Sequence, residues 1–305
     1  MERMKEKFQK VSGFSKLKYS HFRELLKENS IPRELVQSNV IPEYPLILLH
    51  GYWNQPSTWK KFVTYFELNG YTKDKNLFLF DGRGDDESLA NIDIRINAKK
   101  LHNLVQQVIA STGSCKVNLV AHSMGGLISR WYMEQLGGNT DVHKLIMLGT
   151  PNHGSAYLPL FTRIVGFIDD KLDAVKIRKQ KFDNKIELFS KETEESVEKY
   201  IQKVAAENYF DHSGMAAFQM YPGSEFLTKL GYEGQTNYYL ITGIKGLPTG
   251  IDKFLPEGPN DGAVHANSVD LTAVPKNHKV AFKFNHKQLR YEVETFNQIM
   301  NFLVL

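Results

Sequence analysis

Ser123 lies in a sequence that predicts a nucleophilic serine. The apolar stretch Val117-Asn-Leu-Val-Ala121 runs into His-Ser-Met-Gly and continues directly into a helical pattern. A serine between a strand and a helix can occupy a tight turn that exposes its Oγ, provided that the residues two positions away are small. Ala121 and Gly125 meet this requirement, although alanine replaces the usual first glycine. We therefore predict that Ser123 is the nucleophile of an acyl-transfer reaction.

A nucleophilic serine needs a base within hydrogen-bond reach, and histidine is the usual one. At a strand–turn–helix nucleophile, the acid and then the histidine follow the serine in the chain. The late histidines are His265, His278 and His286. His286 directly follows the last predicted strand, residues 280–284, at the end where a parallel sheet places its functional groups. His286 is the predicted base, and His278, which precedes that strand, is the main alternative.

The base in turn needs a carboxylate that fixes its tautomer. Asp261 lies in an Asn-Asp-Gly sequence within a loop of turn-forming residues, 258–264, which follows the predicted strand 237–242. Such a turn can aim a carboxylate inward. Asp261 is the predicted acid, and Asp252 and Asp270 are the alternatives.

Two backbone N–H groups are needed to stabilise the oxyanion that forms on the carbonyl oxygen under attack. One is predicted to be the N–H of Met124, the residue after the nucleophile. The other is predicted to be the N–H of Tyr52, because Gly51 permits a close approach in the loop after the first predicted strand, residues 44–51.

Six apolar runs typical of buried strands must position these groups. They lie at 44–51, 76–80, 117–121, 142–148, 237–242 and 280–284, and helical patterns separate several of them. This alternation predicts an α/β fold with a mostly parallel sheet flanked by helices, over residues 41–305. Residues 1–40 are predicted to form a helical arm, and an apolar helical face at 289–303 is predicted to close the domain.

Residues about 155–234 contain more chain than one crossover helix requires. They carry two amphipathic helical patterns, one of which includes Phe161 and Ile164. We predict a helical cap, or lid, in which these two side chains bind the acyl part of a substrate.

The composition bounds the class of protein. The 305 residues have a net charge of +4 with scattered lysines and arginines, so a nucleic-acid partner is not predicted. The N-terminus has no apolar core of a secretory signal, and no apolar run is as long as a membrane span. We therefore expect a cytoplasmic protein, or a secreted one if a signal has been removed. Cys115 is the only cysteine, so no intrachain disulfide can form, and we predict a packed thiol.

The chain resembles the bacterial lipases and esterases of the α/β-hydrolase fold. Collinear matching segments are LILLHGYW at 46–53, VAHSMGG at 120–126, LGTPNHGS at 148–155, MYPGSEFL at 220–227, NDGAV at 260–264 and FNHKQL at 284–289. The resemblance implies that the acid is Asp261 and the base His286. It also implies hydrolysis of carboxylic esters through an acyl-serine intermediate.

One position departs from the calcium-dependent members of that group, which carry an aspartate ligand two residues after the catalytic histidine. This sequence has Gln288 there, and it shows no His/Asp cluster with zinc-ligand spacing. We therefore expect neither a metal nor another cofactor.

The sequence predicts an esterase or lipase that acts on medium- to long-chain acyl esters, with a lipid or other acyl ester as substrate and possible contact with lipid interfaces. Two alternatives stay open: an acyltransferase that uses the same three residues, and a non-catalytic binding protein of the same fold. The oligomeric state stays open as well.

Overall fold

The computed structural model describes residues 34–35, 43–52, 54–83, 92–155, 215–231, 237–246 and 258–304. The helical arm predicted for residues 1–40 lies almost entirely outside the described residues. Most of the predicted cap, including Phe161 and Ile164, lies outside them too.

Six parallel strands form one sheet in the order β2-β1-β3-β4-β5-β6. Their bounds are β1 Leu46–Leu49, β2 Leu77–Phe80, β3 Val117–His122, β4 Val142–Leu148, β5 Tyr238–Gly243 and β6 Lys279–Phe282. Each corresponds to one of the predicted apolar runs. The order reverses once, between β1 and β3, which is the place where parallel sheets bind ligands outside their carboxyl ends.

Helices connect and cover the strands. The α-helices within the described residues are α1 Lys60–Leu68, α2 Ile94–Thr112, α3 Met124–Gln135, α4 Met215–Gln219, α5 Glu225–Thr228, α6 Ala266–Val269 and α7 Val293–Val304. Shorter 3-10 turns are Pro56–Trp59, Gly138–Thr140, Lys276–His278 and Gln288–Arg290. Within the described residues, no helix is both long and apolar enough to cross a membrane.

The core is divided between the two faces of the sheet. Successive side chains of a strand point to opposite faces. In β1, Ile47 and Leu49 belong to one buried cluster with residues of α2 and α3, and Leu46 and Leu48 belong to another with aromatic residues of α1 and α7. Both faces are therefore covered, which explains why the strands are continuous apolar runs.

Cys115 corrects one prediction. The thiol is exposed, because residue 115 lies in the turn before β3 and burial begins only at Val117.

Candidate active site

Ser123 occupies the sharp turn between β3 and α3. Its backbone has φ 55° and ψ −126°, a conformation rare for a residue with a side chain. The N–H of Ser123 donates to the carbonyl oxygen of Leu148 over 2.9 Å, which fixes the turn to the end of β4. The small residues after it are needed for packing: a Cβ on Gly125 would lie 2.8 Å from the carbonyl oxygen of His50. The predicted strand–turn–helix geometry is therefore present at Ser123.

Asp261 and His286 lie in direct contact. The Nδ1 of His286 is 2.7 Å from the Oδ2 of Asp261, whose side chain is fully buried. A carboxylate oxygen accepts, so Nδ1–H donates and Nε2 is left without a proton, as a general base requires. The second oxygen of Asp261 accepts from the N–H groups of Ala263 and Val264, at 3.0 and 2.7 Å. The turn predicted from Asn-Asp-Gly thus fixes the carboxylate that orients the histidine.

The carboxyl ends of β4 and β5 pack closely against Asp261 and His286. Gly149, directly after β4, has φ 57°, and a Cβ there would lie 2.9 Å from the Oδ2 of Asp261 and 3.0 Å from the Nδ1 of His286. A Cβ on Gly243, the last residue of β5, would lie 2.8 Å from the Cβ of Asp261. Ser123, Asp261 and His286 therefore all lie at the carboxyl edge of the sheet.

The alternative bases are held elsewhere. The Nδ1 of His278 lies 3.2 Å from the carbonyl oxygen of Tyr238, at the opposite end of the sheet, and its ring stacks on Tyr239. The Nδ1 of His265 accepts a hydrogen bond from the N–H of Asn267.

Asp270 and Asp252 are the alternative acids. Asp270 forms a buried ion pair with Lys279, with 2.7 Å between Oδ1 and Nζ. Asp252 lies outside the described residues.

The loop after β1 approaches the serine closely. A Cβ on Gly51 would lie only 2.7 Å from the Cβ of Ser123, so glycine is needed for this approach. Tyr52 follows in the same loop, and Met124 is the first residue of α3 and fully buried. The segments that carry the two predicted oxyanion donors therefore both adjoin Ser123.

Arg290 supports this loop, and sequence reasoning did not identify it. Its Nη1 donates to the Oδ1 of Asn54 over 2.8 Å, and the Nδ2 of Asn54 donates to the carbonyl oxygen of Tyr52 over 3.0 Å. The segment that carries His286 is thereby joined to the segment that carries Tyr52. Arg290 and Asn54 are 236 positions apart in the chain, so no local pattern could have indicated their contact.

His122 is the second residue that sequence reasoning missed. Its Nε2 lies 2.9 Å from the carbonyl oxygen of His286, and the two imidazole rings are 4.5 Å apart. The two residues in this contact, His122 and His286, are 164 positions apart in the chain, so no local pattern could have indicated it.

Ser155 and Met220, both within the predicted cap, meet beside the loop that carries Asp261. The N–H of Ser155 donates to the carbonyl oxygen of Met220 over 2.8 Å, and the Oγ of Ser155 donates to the carbonyl oxygen of Ala263 over 2.6 Å. The cap itself, with Phe161 and Ile164, remains a prediction.

Gln288 stabilises the segment that carries His286. Its Oε1 accepts from the N–H of Asn285, and its own N–H donates to the Oδ1 of Asn285. No cluster of three or more His, Cys, Asp or Glu residues that could hold a metal ion occurs in the part of the chain that the structure describes. The expectation of a metal-free enzyme stays a prediction.

A family model described as "Domain of unknown function (DUF7379)" matches residues 83–245, more than half of the chain. The chain belongs to the DUF7379 family. The matched region of this DUF7379 protein contains Ser123 but neither Asp261 nor His286.

Two curated relatives are named "Triacylglycerol lipase". The one from Pseudarthrobacter phenanthrenivorans is 32% identical over 127 residues, which are 37% of this chain and 35% of that protein. The one from Burkholderia plantarii is also 32% identical over 127 residues, which are 37% of this chain and 31% of that protein. The chain therefore spans about a third of the length of the curated relatives that it matches.

The fold matches solved structures over most of its length. The mature form of Bacillus licheniformis lipase BlEst2 superposes with a TM-score of 0.55 over 89% of this chain and 96% of that one, at 18% identity. The predicted α/β-hydrolase fold is confirmed, and so is the resemblance to bacterial lipases and esterases.

Proposed function

We propose that this DUF7379 protein is a carboxylic-ester hydrolase in which Ser123, His286 and Asp261 form the catalytic triad. The observation that carries the proposal is the strained Ser123 turn at the same sheet edge as the 2.7 Å pair of His286 and Asp261. The names of the curated relatives support the reaction class.

The geometry supports the following sequence of steps. Asp261 holds Nδ1–H of His286, so Nε2 accepts the proton of Ser123 Oγ as this oxygen bonds to the ester carbonyl carbon. The N–H groups of Tyr52 and Met124 stabilise the oxyanion. The ester C–O bond then breaks, and the leaving alkoxide takes the proton from His286. A water molecule, deprotonated by His286, then bonds to the acyl carbon. The bond from this carbon to Ser123 Oγ breaks, Oγ takes the proton back from His286, and the carboxylic acid leaves.

The proposed substrates are medium- to long-chain acyl esters. The names of the two curated relatives refer to triacylglycerols, and the predicted cap carries apolar residues such as Phe161 and Ile164. Each methylene group removed from water contributes about 0.8 kcal/mol. An apolar acyl site would therefore discriminate strongly between acetate and a chain of eight or more carbons.

The test is a series of p-nitrophenyl esters from acetate to palmitate, measured with the wild-type protein and with Ser123→Ala. We expect kcat/KM to rise with chain length, and Ser123→Ala to lower kcat by several orders of magnitude without changing Tm. Near-normal turnover by the variant would refute the proposal. Product analysis with glycerol present distinguishes hydrolysis from acyl transfer.

A further inference from the structure

His122 is a buried imidazole directly beside the proposed nucleophile. Its side chain is the last of β3, and only 1% of the residue is exposed. Its Nε2 lies 2.9 Å from the carbonyl oxygen of His286. Because a carbonyl oxygen can only accept, the proton of His122 must be on Nε2. The ring is thus a hydrogen-bond donor to the main chain of the proposed base.

The surroundings of His122 keep its ring neutral. Burial holds the pKa of His122 well below its usual range, and the nearby His286 lowers it further. The Nδ1 of His122 is buried and finds no hydrogen-bond partner in the described part of the chain, so a second proton there would have no acceptor. A neutral ring does not repel the imidazolium that forms on His286 during acyl transfer.

The main chain of His286 is held from two directions. Its N–H donates to the carbonyl oxygen of Asp261 over 2.8 Å, and its ring binds the same residue's carboxylate. Both contacts come from the loop that carries Asp261. Neither of them fixes the distance between His286 and Ser123. The contact at the carbonyl oxygen comes from His122, one residue from Ser123. This hydrogen bond joins the segment of the proposed base directly to the segment of the proposed nucleophile.

We propose that His122 is a positioning residue, whose Nε2–H holds the main chain of His286 so that the base faces Ser123. The inference rests on the proposed function. His122 itself takes no proton and touches no substrate. Its contribution is geometric, because a misplacement of about 1 Å in a catalytic group can lower a rate by about 100-fold.

The experiment compares His122→Leu, which has no donor, with His122→Gln, whose amide N–H can replace Nε2–H. We expect kcat of His122→Leu to fall between about 10-fold and about 100-fold with little change in KM. His122→Gln should recover most of the loss. The matched control is His278→Leu, because His278 also contacts a main-chain carbonyl and stacks on a ring, but at the far end of the sheet. Its kcat should stay at the wild-type value.

Two results would overturn the inference: a folded His122→Leu variant with wild-type kcat, or a His122→Gln variant no more active than His122→Leu. If the leucine variant does not fold, His122→Phe replaces it, since it keeps an aromatic ring against His286 without the donor. Failure of the proposed function is distinguishable, because it would appear as a wild-type protein without ester turnover. In that case, the rate at which a fluorophosphonate labels Ser123 in the same variants still tests the positioning role.

Discussion

At the residue scale, the two oxygens of Asp261 have separate tasks. Oδ1 closes the turn with the N–H groups of Ala263 and Val264, and Oδ2 binds His286. An asparagine has the same shape, and its Oδ1 can still accept the hydrogen bonds that close the turn. It cannot hold the Nδ1–H tautomer of His286 and stabilise its cation as a carboxylate does.

We therefore expect Asp261→Asn to lower kcat by about four orders of magnitude. The matched control is Asp270→Asn, which weakens the buried ion pair with Lys279. That change should lower the free energy of unfolding by about 3 kcal/mol and leave kcat unchanged. Steady-state kinetics and urea unfolding of both variants measure this difference. A control variant that loses activity as severely as Asp261→Asn would count against the acid assignment.

Sequence reasoning brought Asp261 and His286 together because each follows a recognisable strand, and the structure has them in contact. Parallel strands bring their carboxyl ends to one edge, so Asp261 after β5 and His286 after β6 had to come close. It could not locate His122 or Arg290, because their partners are 164 and 236 residues away. Cys115 was placed wrongly because the apolar run begins two residues later, at Val117.

At the element scale, apolar runs and helical periodicity predict the six strands and the helices between them. They do not predict where each element begins and ends. The closing helix was predicted from Leu289 onward, but α7 begins at Val293. Leu289 is buried, but it lies in the 3-10 turn Gln288–Arg290. In the sequence, its apolar side chain therefore looks like part of the buried face of the helix. The reciprocal hydrogen bonds between Asn285 and Gln288 set this turn, and they are invisible to a hydrophobic pattern.

Arg290, in that turn, gives a prediction about how elements support one another. Arg290→Met should lower kcat by about 10-fold, because Asn54 would lose the donor that steadies the loop of Tyr52. This is less than the roughly 100- to 1000-fold cost of removing an oxyanion donor itself. The control is Arg95→Met, which removes an exposed partner of Asp93 at the start of α2. Kinetics in which both variants behave alike would contradict the supporting role of Arg290.

At the scale of the whole molecule, burial makes the protein sensitive to acid. Burial is the main cause that lowers the pKa of five histidines: His50, His122, His143, His153 and His278. The unfolded chain binds protons at these residues below the ordinary histidine pKa of about 6.5, whereas the folded protein does so only at lower pH.

The free energy of unfolding should therefore decrease as the pH falls from about 6.5 toward 5. Glu134 acts in the opposite direction, because burial raises its pKa, but within the described residues it is one group against five. Urea unfolding at several pH values measures the slope, and His278→Leu should make it shallower. Stability that is constant or rises over this interval would contradict the burial of neutral histidines.

The comparisons with known proteins cover different shares of the chain. The fold extends over 89% of the chain in the comparison with BlEst2, but the curated lipases match only 37% of it. The DUF7379 match ends at residue 245, before Asp261 and His286. The reaction therefore has to be tested on this protein's own serine.

The most direct measurement is mass spectrometry of the protein after reaction with a fluorophosphonate, followed by peptide mapping. The account predicts one adduct, on Ser123, that is absent from Ser123→Ala and forms far more slowly in His286→Ala. An adduct on another residue, or equal labelling of the wild type and His286→Ala, would contradict the proposed triad.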